Sequence, residues 1–272
     1  MASRNRLSHS PPPLPVPQNT PYTSGPQTTT GTPTTSQSHG LSILTTYLLS
    51  RTSLAHAPNT PPKTSTSTST NQPPSITTQI SSLALHPTLE TTLHILNSDL
   101  PSAHFLARHM SAPPATEGML LHSILHRCEG DFRNARAWLS DVEDAVAGWV
   151  PKRKGSEELK AHVVVAMGMP GGDGHGEDLT LLEFVYEGMD GGAQKLIDDV
   201  ESFRMVRGND RELEHHVEDR IRTEMQRIIQ WCTAKFGDGE WEDASGAWAR
   251  PGDEVAKIGR DMVSGKLGWR KF

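Results

Sequence analysis

Acidic residues are absent from the first third of this chain. The 272-residue sequence has no Asp or Glu before Glu90. The formal charges of that stretch are Arg4, Arg6, Arg51 and Lys63. The stretch therefore carries +4, and the net charge of −6 for the whole chain leaves −10 on residues 90–272. Residues 1–80 are also poor in apolar residues and rich in Pro, Ser and Thr. Such a composition buries too little surface to offset the entropy of ordering, so we expect a disordered tail.

Long apolar runs are missing as well. No stretch reaches the ~20 consecutive apolar residues that a membrane-spanning helix needs. The tail contains one shorter apolar segment, at residues 41–56, and Arg51 lies inside it. We expect this segment to form a short docking helix, not a membrane span.

Cysteine is nearly absent, with only Cys128 and Cys232. The two lie far apart, which excludes a disulfide framework and a zinc site built from paired cysteines. We therefore expect a reducing compartment, the cytoplasm or the nucleus. Mitochondria are the alternative, because the first ten residues, MASRNRLSHS, are basic and free of acidic residues. The acidic character of residues 90–272 argues against nucleic acid as a partner.

Apolar residues recur at helical spacing through most of residues 81–272, which predicts one helical domain behind the tail. An irregular, glycine-rich loop is expected near residues 151–177, with room for at most one strand or one short helix. Thr116 and Asp131 are predicted to cap the N-termini of two helices, and Gly130 to end the first of them. Helices are predicted at residues 87–99, 100–110, 116–130, 131–150, 178–189, 191–206 and 210–237. The fold class is all-α, with helical hairpins covered by C-terminal helices.

A faint repeat appears at an offset of 32 residues. The sequence from Leu89, LETTLHILNSDLPSAHFLARHM, aligns with LHSILHRCEGDFRNARAWLSDV from Leu121, and His94 meets His126. The stretch EGDFRNARAWL resembles the turn of a tetratricopeptide hairpin, in which a small residue lets two helices pack closely. This resemblance implies a tetratricopeptide-like arrangement of the hairpins.

A second resemblance rests on LLHSILHRCEGDFRNARAWL, residues 120–139. It is similar to a family of fungal and bacterial proteins marked by the motif His-x3-His-Arg-x-Glu-Gly-Asp-x-x-Asn-Ala-x-x-Trp. The resemblance covers about residues 80–240. It implies no particular activity.

Three residues of this motif are candidate metal ligands. His122, His126 and Glu129 follow one another at i, i+4 and i+7, so their directions on a helix fall within about 60°. Two imidazoles and a carboxylate suit a catalytic divalent metal with an open position, zinc or iron. Asp131 would hold an imidazole proton as a second-shell partner. Arg127 would be a further second-shell residue of a metal site, and in a purely structural site it would pair with a carboxylate such as Asp131 or Glu129.

In an enzyme of this kind a metal-bound water would be the nucleophile. His104 or His109, on the neighbouring hairpin, would then act as the acid or base. This alternative is a metal-dependent, hydrolase-like enzyme that uses His122, His126 and Glu129.

The favoured interpretation needs no cofactor. Because His126 has a counterpart in His94, the histidines would have a structural role and hydrogen-bond across the helix pair. The protein would then be a soluble interaction or scaffold module that binds a protein or peptide partner between its hairpins, or in a metal-free polar pocket. The groove is expected to be lined by His104, Arg108, His122 and Arg136, and the pocket by His104, Arg108, Asn134, Arg136 and Trp138.

Overall fold

The all-α class is confirmed. A computed structural model describes residues 35–57, 75–169, 179–206 and 210–249, and these ranges contain ten α-helices and no β-strand. The helices are α1 (Thr35–Arg51), α2 (Ile76–Ser82), α3 (Pro87–Leu96), α4 (Leu100–Ala107), α5 (Thr116–Glu129), α6 (Phe132–Val146), α7 (Ala161–Met167), α8 (Leu181–Tyr186), α9 (Gly192–Met205) and α10 (Arg211–Phe236). A 3-10 helix spans Ala244–Ala247. Among the described residues, no helix has both the length and the apolar character needed to cross a membrane.

Two helix pairs, α3–α4 and α5–α6, reverse direction through turns of the same geometry. Ser98 in the first turn and Gly130 in the second both adopt a left-handed backbone, with φ of 56° and 86°. Asp99 and Asp131 follow them. Each aspartate accepts a hydrogen bond from the backbone N–H three residues later, at 3.3 and 3.1 Å, and so caps the next helix. The predicted cap at Asp131 is confirmed, while the tetratricopeptide-like arrangement stays a prediction.

The long helix α10 packs against α3, α8 and α9. One face of α10 is apolar and faces the core, because Val217, Ile221, Met225 and Ile228 are buried and Leu213 packs against the core while half-buried. Burial of such a continuous stripe removes apolar surface from water along much of the helix. In this way α10 covers α3, a helix of the first hairpin, as well as α8 and α9.

Part of the predicted tail is helical. Helix α1 covers most of the apolar segment 41–56, begins six residues before it and packs against α3. Four leucines of α1 are buried, and the removal of their apolar surface from water favours the docked helix. They are Leu41, Leu44, Leu48 and Leu49. Helix α2 also begins inside residues 1–80. The remaining tail residues, 1–34 and 58–74, lie outside the described residues.

One local prediction needs correction. Thr116 is the first residue of α5 and not its cap, since Ala115 holds the cap position and offers no side-chain hydrogen bond. The irregular segment near 151–177 contains one short helix, α7, which agrees with the expectation of at most one short element there. The chain before α7 is tied back to the end of α6, where the Leu159 N–H donates to the Gly148 carbonyl at 2.8 Å. Residues 170–178 lie outside the described residues.

Candidate metal centre

The last turn of α5 carries two of the candidate ligands, His126 and Glu129. The helix ends because Gly130 adopts the left-handed conformation that glycine reaches without steric cost. The N–H of Gly130 donates to the Arg127 carbonyl at 3.1 Å, and the N–H of Asp131 donates to the His126 carbonyl at 2.8 Å. This pair of bonds is the Schellman motif. It fixes the turn that holds both ligands.

A glycine brings α4 against α5. A Cβ atom added to Gly118, in the first turn of α5, would lie closer than 3.0 Å to both the side chain and the backbone carbonyl of Met110, just beyond α4. Only a residue without a side chain allows this approach. With the end of α4 held here, the body of α4 runs beside α5. His104 on α4 then faces the last turn of α5.

Three side chains meet between α4 and α5. The Nε2 atom of His104 lies 3.0 Å from Oε1 of Glu129, and Nδ1 of His126 lies 3.3 Å from Oε2 of the same carboxylate. One ligand atom from each residue falls within 4.8 Å of the others. The side chains of His104 and Glu129 keep 30% and 35% of their surface exposed. The group is therefore accessible to water and small solutes.

The imidazole of His126 has an open hydrogen-bonding position. Its Nδ1 atom is buried and has no hydrogen-bond partner among the described residues. The nearby Glu129 oxygen, at 3.3 Å, lies at ion-pair distance without hydrogen-bond alignment. A buried polar nitrogen without a partner costs free energy. Coordination to a cation would satisfy it.

His122 lies beside this group and is not part of it. Its ring centroid is 5.4 Å from that of His104 and 5.8 Å from that of His126, and it stacks on the indole of Trp138. Burial, followed by the charges of His104 and His126, lowers the pKa of His122 to about 4. Of the three predicted ligands, the structure thus brings His126 and Glu129 into the close group. The third member of the group is His104, which was expected to act as an acid or base or to line a groove.

Arg127 faces away from the group, and it pairs with a carboxylate as predicted, but with neither Asp131 nor Glu129. Its guanidinium makes a two-pronged ion pair with Glu224 of α10, and the Tyr186 hydroxyl donates to the same carboxylate at 2.6 Å. Burial disfavours the charged form of Arg127 and so acts to lower its pKa. The charge and hydrogen bonds of Glu224 outweigh this effect and raise the pKa of Arg127. This pair joins α5 to α10 in the core.

The other predicted polar residues have partners of their own. The Asp131 carboxylate accepts both the N–H and, at 2.7 Å, the side-chain amide of Asn134. It therefore serves the α6 cap instead of holding an imidazole. Hydrogen bonds from Asn134 lower the pKa of Asp131. Arg136 pairs with Asp198 and Glu201 of α9.

Arg108 has a different environment from Arg136. Its guanidinium lies over the ring of Phe105, 4.5 Å from the centroid. The predicted partner surface is therefore divided, because Arg136 is engaged by α9 while Arg108 stays at the exposed end of α4. His104 and His122 were predicted to line the same surface. They instead lie together with His126 in a cluster of three imidazoles, called here the histidine cluster.

The spacing of the three close side chains fits metal coordination. Two ligand atoms bound to one tetrahedral zinc ion at ~2.0–2.1 Å lie about 3.3 Å apart. The two imidazoles lie close to this distance from the Glu129 carboxylate, His104 at 3.0 Å from one oxygen and His126 at 3.3 Å from the other, and one ligand atom from each residue lies within 4.8 Å of the others. Two imidazoles and one carboxylate leave one position open on a four-coordinate ion. Such a position is typical of catalytic zinc sites, whereas structural sites are closed by four protein ligands.

The sequence predicts His104 as an acid or base or as part of a groove, but not as a member of the ligand group. No spacing rule connects a residue of α4 with the end of α5, because the crossing of the two helices depends on the contact between Gly118 and Met110. Comparison with known proteins adds no further information, since no family model, no curated protein and no solved structure matches this chain. The resemblances to the histidine motif family and to tetratricopeptide hairpins therefore remain predictions.

Proposed function

We propose that this protein binds a divalent transition metal ion, zinc in the first place, through His104, His126 and Glu129. The observation that carries the proposal is the convergence of the three ligand atoms within 4.8 Å. The buried Nδ1 atom of His126, which has no hydrogen-bond partner among the described residues, adds to it. Two neutral imidazoles and one carboxylate are a donor set that zinc accepts.

The proposed reaction class is hydrolysis. An ion with three protein ligands keeps a position for water, and zinc lowers the pKa of such a water to about 7. The exposed faces of His104 and Glu129 would leave room for a substrate to approach. The carboxylate of Glu129 lies between the two imidazoles, so it would orient both of them as well as balance one positive charge of the ion.

A titration of the full-length chain with zinc tests the proposal. After treatment with a chelator, the protein is titrated by calorimetry and its metal content is measured after dialysis. We expect one zinc ion per chain in the parent. His104→Ala, His126→Ala and Glu129→Gln should each bind zinc at least about tenfold more weakly, because each removes one of three ligands. A parallel titration with Fe2+ identifies iron as the preferred ion if it binds more tightly.

Two further variants make the test specific. His215→Ala removes an exposed histidine of α10 that is not part of the group, and it should bind zinc as the parent does. His122→Ala distinguishes the ligand set proposed here from the set of His122, His126 and Glu129 that the sequence predicts. If His122→Ala abolishes binding while His104→Ala leaves it unchanged, the ligand set proposed here is wrong. If the parent binds no zinc and no Fe2+, the whole proposal fails.

A second candidate function, peptide or protein binding, is supported by one surface. Phe105 is 55% exposed, and Arg108 lies over its ring. Trp248, which is 38% exposed, stacks on His109 at 4.5 Å. Exposed aromatic residues and arginine are enriched in binding hot spots. In a quantitative pull-down, partners bound here should be lost with Phe105→Ser and retained with Val165→Ser, which changes an equally apolar exposed side chain on α7.

A further inference from the structure

Within the part of the chain that the structure describes, Arg204 of α9 makes four hydrogen bonds, all to backbone carbonyls. Its Nε donates to Ala55 at 2.7 Å, and one terminal nitrogen donates to Leu54 and His56 at 3.2 and 2.7 Å. The other terminal nitrogen donates to the carbonyl of Cys128 at 3.0 Å. A single guanidinium thus joins the chain that follows α1 to the C-terminal end of α5.

The Cys128 carbonyl belongs to the turn that holds the metal ligands. The last carbonyls of a helix have no partner within the helix. In α5 the Schellman bonds satisfy those of His126 and Arg127, and Arg204 satisfies the next one. A Cβ atom on Gly130 would lie only 3.3 Å from the guanidinium, so the glycine also makes room for this tether. Arg204 therefore completes the fixation of the ligand-bearing turn.

The other end of the tether is the segment of residues 52–57, named here the strap. Leu54 and Ala55 of the strap are buried. Glu218 of α10 accepts hydrogen bonds from the Ser53 hydroxyl and, at 3.3 Å, from the Ala55 N–H. His56 contacts Glu214 at 2.8 Å. The strap is thus held on α9 and α10, and it supplies three of the four carbonyls that orient Arg204.

We propose that docking of the strap regulates the metal site through Arg204. The inference rests on the proposed function, because it concerns the affinity of the same three ligands. With the strap docked, three carbonyls hold the guanidinium where it can bond to Cys128, and the last turn of α5 keeps His126 and Glu129 at ligand spacing. With the strap released, Arg204 loses those three partners. The turn then becomes freer and the metal is bound more weakly.

Two variants of the full-length chain test the coupling from opposite ends. Arg204→Lys removes the planar fork, since an ammonium group cannot reproduce four bonds to diverging carbonyls. Ala55→Glu places a charged side chain at a buried strap position and leaves Arg204 intact. We expect each to weaken zinc affinity about tenfold, the usual effect of losing a group that orients a ligand. Arg222→Lys is the control, because Arg222 also donates to a carbonyl of the α1 region, Leu49, but has no bond to α5.

Hydrogen exchange on the unmodified chain gives an independent measurement. Coupling between two sites is reciprocal, so a metal that favours the docked strap must slow amide exchange in residues 53–57. We expect slower exchange there with zinc, and no change in Glu129→Gln. If the parent binds zinc but strap exchange does not change and both variants keep parental affinity, the coupling is refuted while the metal site stands. If the parent binds no zinc, the proposed function itself has failed.

Discussion

The imidazole of His122 lies flat on the indole of Trp138, with ring centroids 4.3 Å apart and planes inclined by 3°. The contact joins α5 to α6. It also places an aromatic ring next to the histidine cluster, since His122 is itself within 5.8 Å of both His104 and His126. Trp138 is therefore an internal optical reporter for the group.

Binding of Cu2+ should quench the fluorescence of Trp138, because a paramagnetic ion in the histidine cluster would lie near the stacked indole. We expect Trp138→Phe to lose most of the quenching and to keep parental affinity for Cu2+ in calorimetry. Trp241→Phe removes an indole that contacts His86 and Phe236 instead, and it should retain the effect. Equal quenching in the parent and in Trp138→Phe would show that copper binds elsewhere.

The buried ion pair between Arg127 and Glu224 should be sensitive to the loss of either partner. Glu224→Gln leaves the Arg127 charge buried without a counter-charge, and we expect a loss of about 3–5 kcal/mol in the free energy of unfolding. Tyr186→Phe removes one hydrogen bond to the carboxylate and should cost about 1.5–3 kcal/mol. Urea unfolding monitored by circular dichroism gives both values.

The double variant Arg127→Met with Glu224→Met is the matched control for this pair. Replacing both charges with apolar side chains removes the cost of burying them, so the double variant should be clearly more stable than Glu224→Gln. If the double variant is instead the less stable of the two, the attraction within the ion pair stabilises the fold by more than the desolvation of its two charges costs.

Stability should fall in mild acid because of His86. This buried imidazole stacks on Phe236 at 3.7 Å and caps α3, and burial, followed by the charge of Lys235, lowers its pKa to about 3. Between pH 6.5 and about 3 the unfolded chain binds a proton that the folded chain does not. Stability is therefore lost as the pH falls through this range. From pH 7 to pH 5 we expect the histidine to account for a loss of about 1–2 kcal/mol.

Replacement of His86 by Asn isolates this effect. Asparagine can still accept the hydrogen bond from the Thr88 N–H but does not titrate. The variant should be less stable at every pH, since it loses the stack on Phe236. Its change in unfolding free energy between pH 7 and pH 5 should nevertheless be smaller than that of the parent. An identical pH dependence in both proteins would contradict the lowered pKa.

The sequence predicts some features of the site and not others, for identifiable reasons. The end of α5 is predictable because Gly130 and Asp131 are local signals, and the helical face of His126 and Glu129 follows from their spacing alone. His104, the third proposed ligand, is not predictable in this way because it lies on a different helix, α4. Arg127 illustrates the same limit, since its partner Glu224 is distant in sequence and only the packing of α10 on α5 brings the two together.

The role of Gly118 leads to the most discriminating prediction. Alanine normally stabilises a helix relative to glycine by about 1 kcal/mol. Here we expect the opposite sign for Gly118→Ala, a loss of about 3 kcal/mol, because the new Cβ would overlap Met110 and its rigid backbone carbonyl. Gly239→Ala is the control, since a Cβ at that position meets no atom of the described residues within 4 Å.

The same substitution should also weaken the metal site. To relieve the overlap with Met110, the end of α4 must move away from α5, and His104 moves with it. Glu129 and His126, which lie on α5 itself, keep their spacing. We therefore expect Gly118→Ala to lower zinc affinity to about the level of His104→Ala, and the double variant to bind no more weakly than either single one. Parental zinc affinity in a destabilised Gly118→Ala protein would show that His104 is not a ligand.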